Sequence, residues 1–218
     1  MAPKGTDFPG LVSNGRPFFY NPVSDTLFGT VSSLKAFERN SNLFLCVYDY
    51  CNQSFVYNSE KIPRWLCKRP EDIKESGVIS LLKYISMEDQ QMLINYYKKG
   101  IEKLYNIPES ERCSYALYCS FKINADKRQT PISMRITPIT LTECGDIWLI
   151  LCAFSISSIC VEECIVAKYD SNFYYEYTPS TCIWEERERI KLSELEGDIL
   201  VLSARGFNME YIGKKLYP

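Results

Sequence analysis

The chain has 218 residues, a formal net charge of −2, 46% hydrophobic and 24% charged side chains, and 14% aromatics. This is the composition of a folded protein of one or two modest domains; it argues against a disordered chain and against a broadly basic surface that would bind nucleic acid everywhere. The sequence contains no histidine, which removes Ser-His-Asp and Cys-His catalysis, histidine-ligated haem and HExxH zinc chemistry.

Ten cysteines are present, but a disulfide framework belongs to small secreted chains. Cys46, Cys119 and Cys152 lie inside apolar runs and read as reduced, buried packing residues. Cys160 and Cys164 form the closest pair, and no CxxC occurs, so no structural zinc site is expected. The first residues lack an apolar run of signal-peptide length, and no later segment approaches a membrane span, so a cytoplasmic protein without membrane contact is expected.

Taken in chain order, the first 40 residues form a proline-bearing extension with one amphipathic helix. Leu27, Val31, Leu34 and Phe37 recur at helical spacing after Ser24, a candidate cap. That helix either covers a neighbouring apolar face or makes a dimer contact. From Leu43, "LFLCVYDY", a turn "CNQS" and "FVYNS" read as a hairpin. The helical middle comprises "EKIPRWLC", "RPEDIKESG" and a longer helix in "SMEDQQMLINYYKKGIEKLYNI". Met92, Tyr96 and Ile101, with Leu93 and Leu104, form its stripe, and Pro108 ends it.

Three strands follow. Tyr115, Leu117, Cys119, Phe121 and Ile123 alternate with polar residues, as do Ile132, Met134 and Ile136 with Ser133, Arg135 and Thr137 until Pro138 interrupts the register. "DIWLILCAFSIS" is apolar throughout and suits a central strand. Helices packed on one face of an antiparallel sheet are the architecture that this order implies.

From about Asn42 to Ser157 this order resembles a PAS domain. "VYNS" before "RPEDI" stands at the entry to the PAS helices. In "YISMEDQQML", Ile85, Glu88 and Asp89 match the Ile-His-Pro-Glu-Asp frequent there, with Ser86 and Met87 replacing His and Pro. The resemblance implies a site for haem, flavin or a metabolite between helices and sheet, or a purely protein-pairing role. The cysteine-containing flavin motif of light-sensing members has no match here. Tyr57, Phe121, Met134 and Trp148 are candidate pocket residues, with plain core as the alternative. No resident cofactor is expected, and an unknown small-molecule ligand stays open. Beyond this, Ile165 to Trp184 alternates around "DSN" and reads as a small hairpin or meander.

At the carboxyl end, Ser193 and Glu196 form an S-x-x-E capping box. Leu192, Leu195, Ile199 and Leu202 make one stripe, Gly206 fits the residue after a helix end, and Asn208 can cap a second helix bearing Met209, Ile212 and Leu216. Leu192, Ser193, Glu196, Ile199, Leu200, Leu202, Ala204 and Gly206 fall on the opening pattern of LuxR-type (GerE-like) DNA-binding domains, which the segment resembles. Ile212 and Leu216 meet the next part. The whole chain resembles the PAS-containing LuxR-type regulators of Bacteroidales.

Departures accompany the match. Tyr211 and Gly213 replace the family's Glu and Ala, and no third, base-reading helix follows Pro218. Lys191, Arg205, Lys214 and Lys215 balance Glu194, Glu196, Asp198 and Glu210. In an intact domain Lys214 and Lys215 are candidates for phosphate contact, or else form a solvated helix end that complements the dipole.

The expected fold is therefore α+β. It comprises an extension with one helix over 1–40 and a PAS-like five-stranded antiparallel sheet with helices on one face over 41–157. A β-hairpin spacer over 158–190 and an incomplete, two-helix LuxR-type domain over 191–218 follow. The resemblance implies the sensory and regulatory part of a LuxR-type transcription factor. DNA is the partner of the intact parent, a homodimer and a small-molecule or protein signal are further partners, and a chain cut inside the pattern should bind little DNA. A non-DNA-binding PAS interaction module is the alternative. No metal site and no enzymatic activity are expected: Asp49, Glu88 and Asp89 are the nearest to candidate acids, and such carboxylates usually serve as caps.

Overall fold

Alternation with a period of two organises most of this chain, and a computed structural model shows what that pattern builds. It describes residues 24–52, 54–61, 83–125, 128–161 and 163–216; the helical readings within 62–77 and the reading of 1–23 lie outside them. The chain divides into two units, Met1–Arg187 and Glu188–Pro218.

In the first unit, α1 (Ser24–Arg39) leads into β1 (Phe44–Asp49) and β2 (Ser54–Asn58). These are followed by α2 (Met87–Tyr105), the single turn α3 (Glu109–Arg112), β3 (Tyr115–Ala125), β4 (Arg128–Leu141) and β5 (Ile147–Ile156). Then come β6 (Cys164–Lys168), β7 (Phe173–Thr178) and β8 (Ile183–Glu188). The strands form one eight-stranded sheet in the order β2-β1-β5-β4-β3-β6-β7-β8. The pairings from β2 through to β7 are antiparallel.

The first five strands lie where the sequence put them, and β5 is central, between β1 and β4. One expectation is corrected. Residues 158–190 are not a separate hairpin: β6 takes the free edge of β3, with Leu117 opposite Val166 and Cys119 opposite Cys164, so the sheet runs on. An unpaired row of peptide groups at the β3 edge is satisfied by that pairing.

The two faces carry separate cores. On one, Cys46, Phe121, Ile132, Met134, Ile136 and Ile150 pack beneath Leu93, Tyr96, Tyr97, Ile101 and Leu104 of α2. Ser86 opens that helix by accepting the Asp89 amide at 3.0 Å, so the residue that departs from the PAS pattern is a working cap. A Cβ at Gly100 would lie 2.4 Å from a methyl carbon of the buried Leu117; only glycine lets α2 come so near β3. The later strands join this core: Tyr177 meets Tyr96 edge-on at 6.4 Å, and the Lys103 ammonium sits 3.5 Å above the Tyr175 ring.

The other face is covered in part by α1, whose Val31 and Leu34 pack against Leu45, Val47, Tyr57 and Leu149. So the helices are not confined to one face of the sheet, and α1 performs the covering role offered for it. Phe37, the last member of its expected stripe, is 58% exposed. Glu38 at the end of α1 is buried; its carboxylate accepts the Leu45 amide at 2.9 Å and the Tyr57 hydroxyl at 2.8 Å, tying the helix to β1 and β2.

Arg112 closes the far end of the helical layer. Buried to 8% exposure, it donates from Nε to the Leu104 carbonyl at 3.1 Å, and from Nη2 to those of Tyr105 (3.1 Å) and Ile107 (3.2 Å). Nη1 donates to the Gly145 carbonyl in the β4–β5 turn. A cation at the carbonyl end of α2 also matches the helix dipole.

The second unit contains α4 (Glu194–Ala204) and α5 (Met209–Leu216). The capping box forms: the Glu196 amide donates to Ser193 Oγ at 3.3 Å and the Ser193 amide to Glu196 Oε2 at 2.8 Å. Gly206, at φ +85°, ends α4, its amide donating to the Ser203 carbonyl and the Phe207 amide to that of Leu202. That pair of bonds is a Schellman ending. Asn208 then accepts the Tyr211 amide at 2.8 Å.

Candidate functional site

The four candidate pocket residues separate between the two faces. Phe121 and Met134 belong to the core under α2, whereas Tyr57 and Trp148 pack on the α1 face. Of the four, Met134 is among the residues that line the groove described below, and the other three are not. The side chains packed on the helical face include two tyrosines, Tyr50 and Tyr97, whose hydroxyls hydrogen-bond to each other. Burial pushes both phenols well above their ordinary range. Tyr57, also raised by burial and by its bond to Glu38, is a structural strut.

Asp49, a weak acid candidate, is buried and engaged: its Oδ1 accepts the amides of Cys51 and Asn52, each at 2.9 Å. It shapes the β1–β2 turn. Cys46 and Cys152 stand opposite each other on β1 and β5, and Cys119 faces Cys164 across β3 and β6. The Cys46 thiol is raised by its hydrogen bond to Cys152 and by burial, and burial lifts Cys164 to about 12. Such thiols are poor nucleophiles. Among the described residues, no group of three or more cysteine, aspartate or glutamate side chains is placed to hold a metal.

Among the described residues, a cavity lies on the open part of the α1 face. A groove of about 730 Å³ runs over β5, β4, β3 and β6, with Leu34 and Phe37 of α1 at its side. Register explains its lining. Across the sheet, Leu45, Ala153, Arg135, Tyr118 and Ile165 form one transverse row. The adjoining row holds Ser155, Ser133 and Ser120. The groove thus sets one guanidinium and the Glu163 carboxylate among hydroxyls of Ser120, Ser133, Thr137, Ser155 and Ser157 on an apolar floor, a lining suited to non-covalent binding.

Ser120 already serves the chain, accepting the Val161 amide at 3.0 Å. Arg135 stands with its guanidinium carbon 5.4 Å from the Tyr118 ring centre, and its buried Nε has no hydrogen-bond partner. Sequence reading saw Arg135 and Ser133 as the polar half of an alternating strand. Which residues of other strands share their rows is invisible without the register.

In the second unit, Lys214 pairs with Glu210 at 2.7 Å, and both it and Lys215 are exposed. Leu195, Leu200, Val201, Phe207, Met209 and Tyr211 are exposed as well, a large apolar share for two short helices. Phe207 stacks on Tyr211 at 4.6 Å.

No protein-family model matches the chain, and no curated protein matches it. Among solved structures it is similar to one titled "Structure of an RNA-binding Light-Oxygen-Voltage Receptor", at 13% identity and a TM-score of 0.39. The match covers 78% of this chain but only 36% of that one. A likeness at this level assigns neither family nor activity. No helix among the described residues is long and apolar enough to cross a membrane.

Proposed function

We propose that the chain is the sensory and regulatory part of a LuxR-type transcription factor working in the cytoplasm. In this reading the sheet unit is a PAS-like receiver and Glu188–Leu216 supplies scaffold helices of the DNA-binding domain. The observation that carries the reading is the build of the helix pair. A capping box at Ser193 and Glu196 and a left-handed Gly206 form at positions that fall on the LuxR-type pattern, and a capping Asn208 then opens the second helix. The antiparallel sheet with α2 across one face supports the sensory half. Scaffold helices position a reader but do not themselves enter the major groove. A gel shift with these 218 residues should accordingly show negligible sequence-selective binding; a selective, salt-sensitive shift would overturn the assignment of α4 and α5 as scaffold.

The exposed apolar residues of the pair favour a second reading, in which α4 and α5 dock a protein partner or a second copy. On that reading, removal of the residues after Lys191 lowers the oligomeric state in light scattering. An unchanged mass counts against it.

A further inference from the structure

We infer that the groove on the α1 face binds a small amphiphilic carboxylate, an organic acid with an apolar body, whose carboxylate is held by Arg135. The inference deepens the sensory reading of the sheet unit by naming the chemistry of its ligand, and it is independent of what the helix pair does.

Three observations converge on that chemistry. The first is an unmet donor. Buried polar groups almost always find partners, yet the Arg135 Nε is buried without one, and Arg135 makes no ion pair among the described residues. Two other arginines of this unit behave otherwise. Arg112 spends Nε, Nη1 and Nη2 on carbonyls, and Arg187 pairs with Glu176 and Glu185. An Nε–H and a neighbouring Nη–H form the fork that takes both oxygens of a carboxylate.

The second is what surrounds the fork. Ser133 and Ser155 sit side by side in the adjoining row, and neither hydroxyl has a partner among the described residues. Both are donors that an anion can use. The Tyr118 ring, 5.4 Å from the guanidinium carbon, adds a cation–π contact that steadies it. Glu163, which also lines the groove, forms no ion pair with Arg135.

The third is the balance of the lining. Leu34, Leu45, Leu151, Ala153 and Ile165 give the groove an apolar floor and side, and its volume of about 730 Å³ suits a small organic ligand. A bare inorganic anion would leave that surface wet, and an alcohol or amine would leave the arginine unmet. A carboxylate with an aliphatic or aromatic body satisfies both.

The test is calorimetric titration of the full chain with octanoate, octanol, octylammonium and inorganic phosphate, with tryptophan fluorescence as a second readout. Octanoate should bind saturably, the other three about tenfold more weakly or not at all, and Arg135→Gln should lose about tenfold in octanoate affinity. Arg135→Lys, which keeps the charge and loses the fork, should fall between; it also serves if Arg135→Gln does not fold by circular dichroism. The inference is overturned if octanoate does not saturate, if octanol or phosphate binds as well as octanoate, or if Arg135→Lys binds as the parent does. Failure here leaves the helix-pair reading standing, since that is tested by DNA binding alone.

Discussion

Replacing Arg112 with methionine should be among the most damaging single changes in the sheet unit. The guanidinium is buried, and four carbonyls, those of Leu104, Tyr105, Ile107 and Gly145, receive its N–H groups. Methionine fills similar volume but donates nothing. At about 1.5–3 kcal/mol for each hydrogen bond to a charged donor, simple addition overshoots, because the contacts are not independent. The Leu104 carbonyl, for one, also accepts the Ile107 amide at 3.2 Å. Removal of the charge has an offsetting gain as well, since its desolvation no longer has to be met. A net loss of about 3–4 kcal/mol is therefore expected, a large fraction of the roughly 5–15 kcal/mol that holds an ordinary domain together. With a urea slope of about 2 kcal/mol/M, the midpoint should fall by about 1.5–2 M. Arg112→Lys keeps the charge but has one nitrogen for four scattered acceptors, and should recover less than half of the loss. Tryptophan fluorescence in urea measures both variants. A loss below about 1 kcal/mol for Arg112→Met, or a lysine variant as stable as the parent, would refute the claim that the fork clamps α2 to the β4–β5 turn.

Four further expectations follow. Gly100→Ala drives a methyl group into Leu117, which is fully buried, and should lower stability by about 1–3 kcal/mol in the same urea assay. In the second unit, Ser193→Ala removes the cap of α4 and should cost that helix about 1 kcal/mol, read as lost helical signal in circular dichroism. The Glu196 carboxyl is held below its ordinary range by the amide and hydroxyl of Ser193, so its contribution is present above that range and lost as pH falls through the depressed value. Acid titration of helical signal should show that loss in the parent and not in Glu196→Gln. Native thiol labelling should reach the exposed Cys113, Cys144 and Cys182 and spare the buried Cys46, Cys119, Cys152 and Cys164 until denaturant is added.

Much of the sheet was legible because burial on one face writes itself as alternation. Leu117, Cys119, Phe121 and Ile123 on β3, and Ile132, Met134 and Ile136 on β4, are buried as that rule requires. The caps at Ser193 and Asn208 were equally local and equally legible. What the sequence hid was everything decided by pairing between distant strands. Nothing in "CIVAK" says that it will take the edge of β3, so the last strands read as a separate hairpin. Trp148 was grouped with Phe121 and Met134, yet consecutive Trp148 and Leu149 both pack on the α1 face, where the β4–β5 register shifts after Pro138. Tyr57 went the same way because β2 presents it to Glu38. The groove is the extreme case, since Ser155 joins Ser133 and Arg135 only once β5 is in register with β4.

The central claim proposed above, that α4 and α5 are the scaffold of a DNA-reading domain joined to a sensory sheet unit, is tested most directly by a fusion to the helices that follow these two in the LuxR-type pattern. Residues 1–216 joined to the remaining helices of a LuxR-type domain should bind duplex DNA in fluorescence anisotropy, with affinity falling steeply as salt rises, while the appended helices alone do not. A fusion whose α4 and α5 are formed by circular dichroism but which shows no DNA binding at low salt would contradict it.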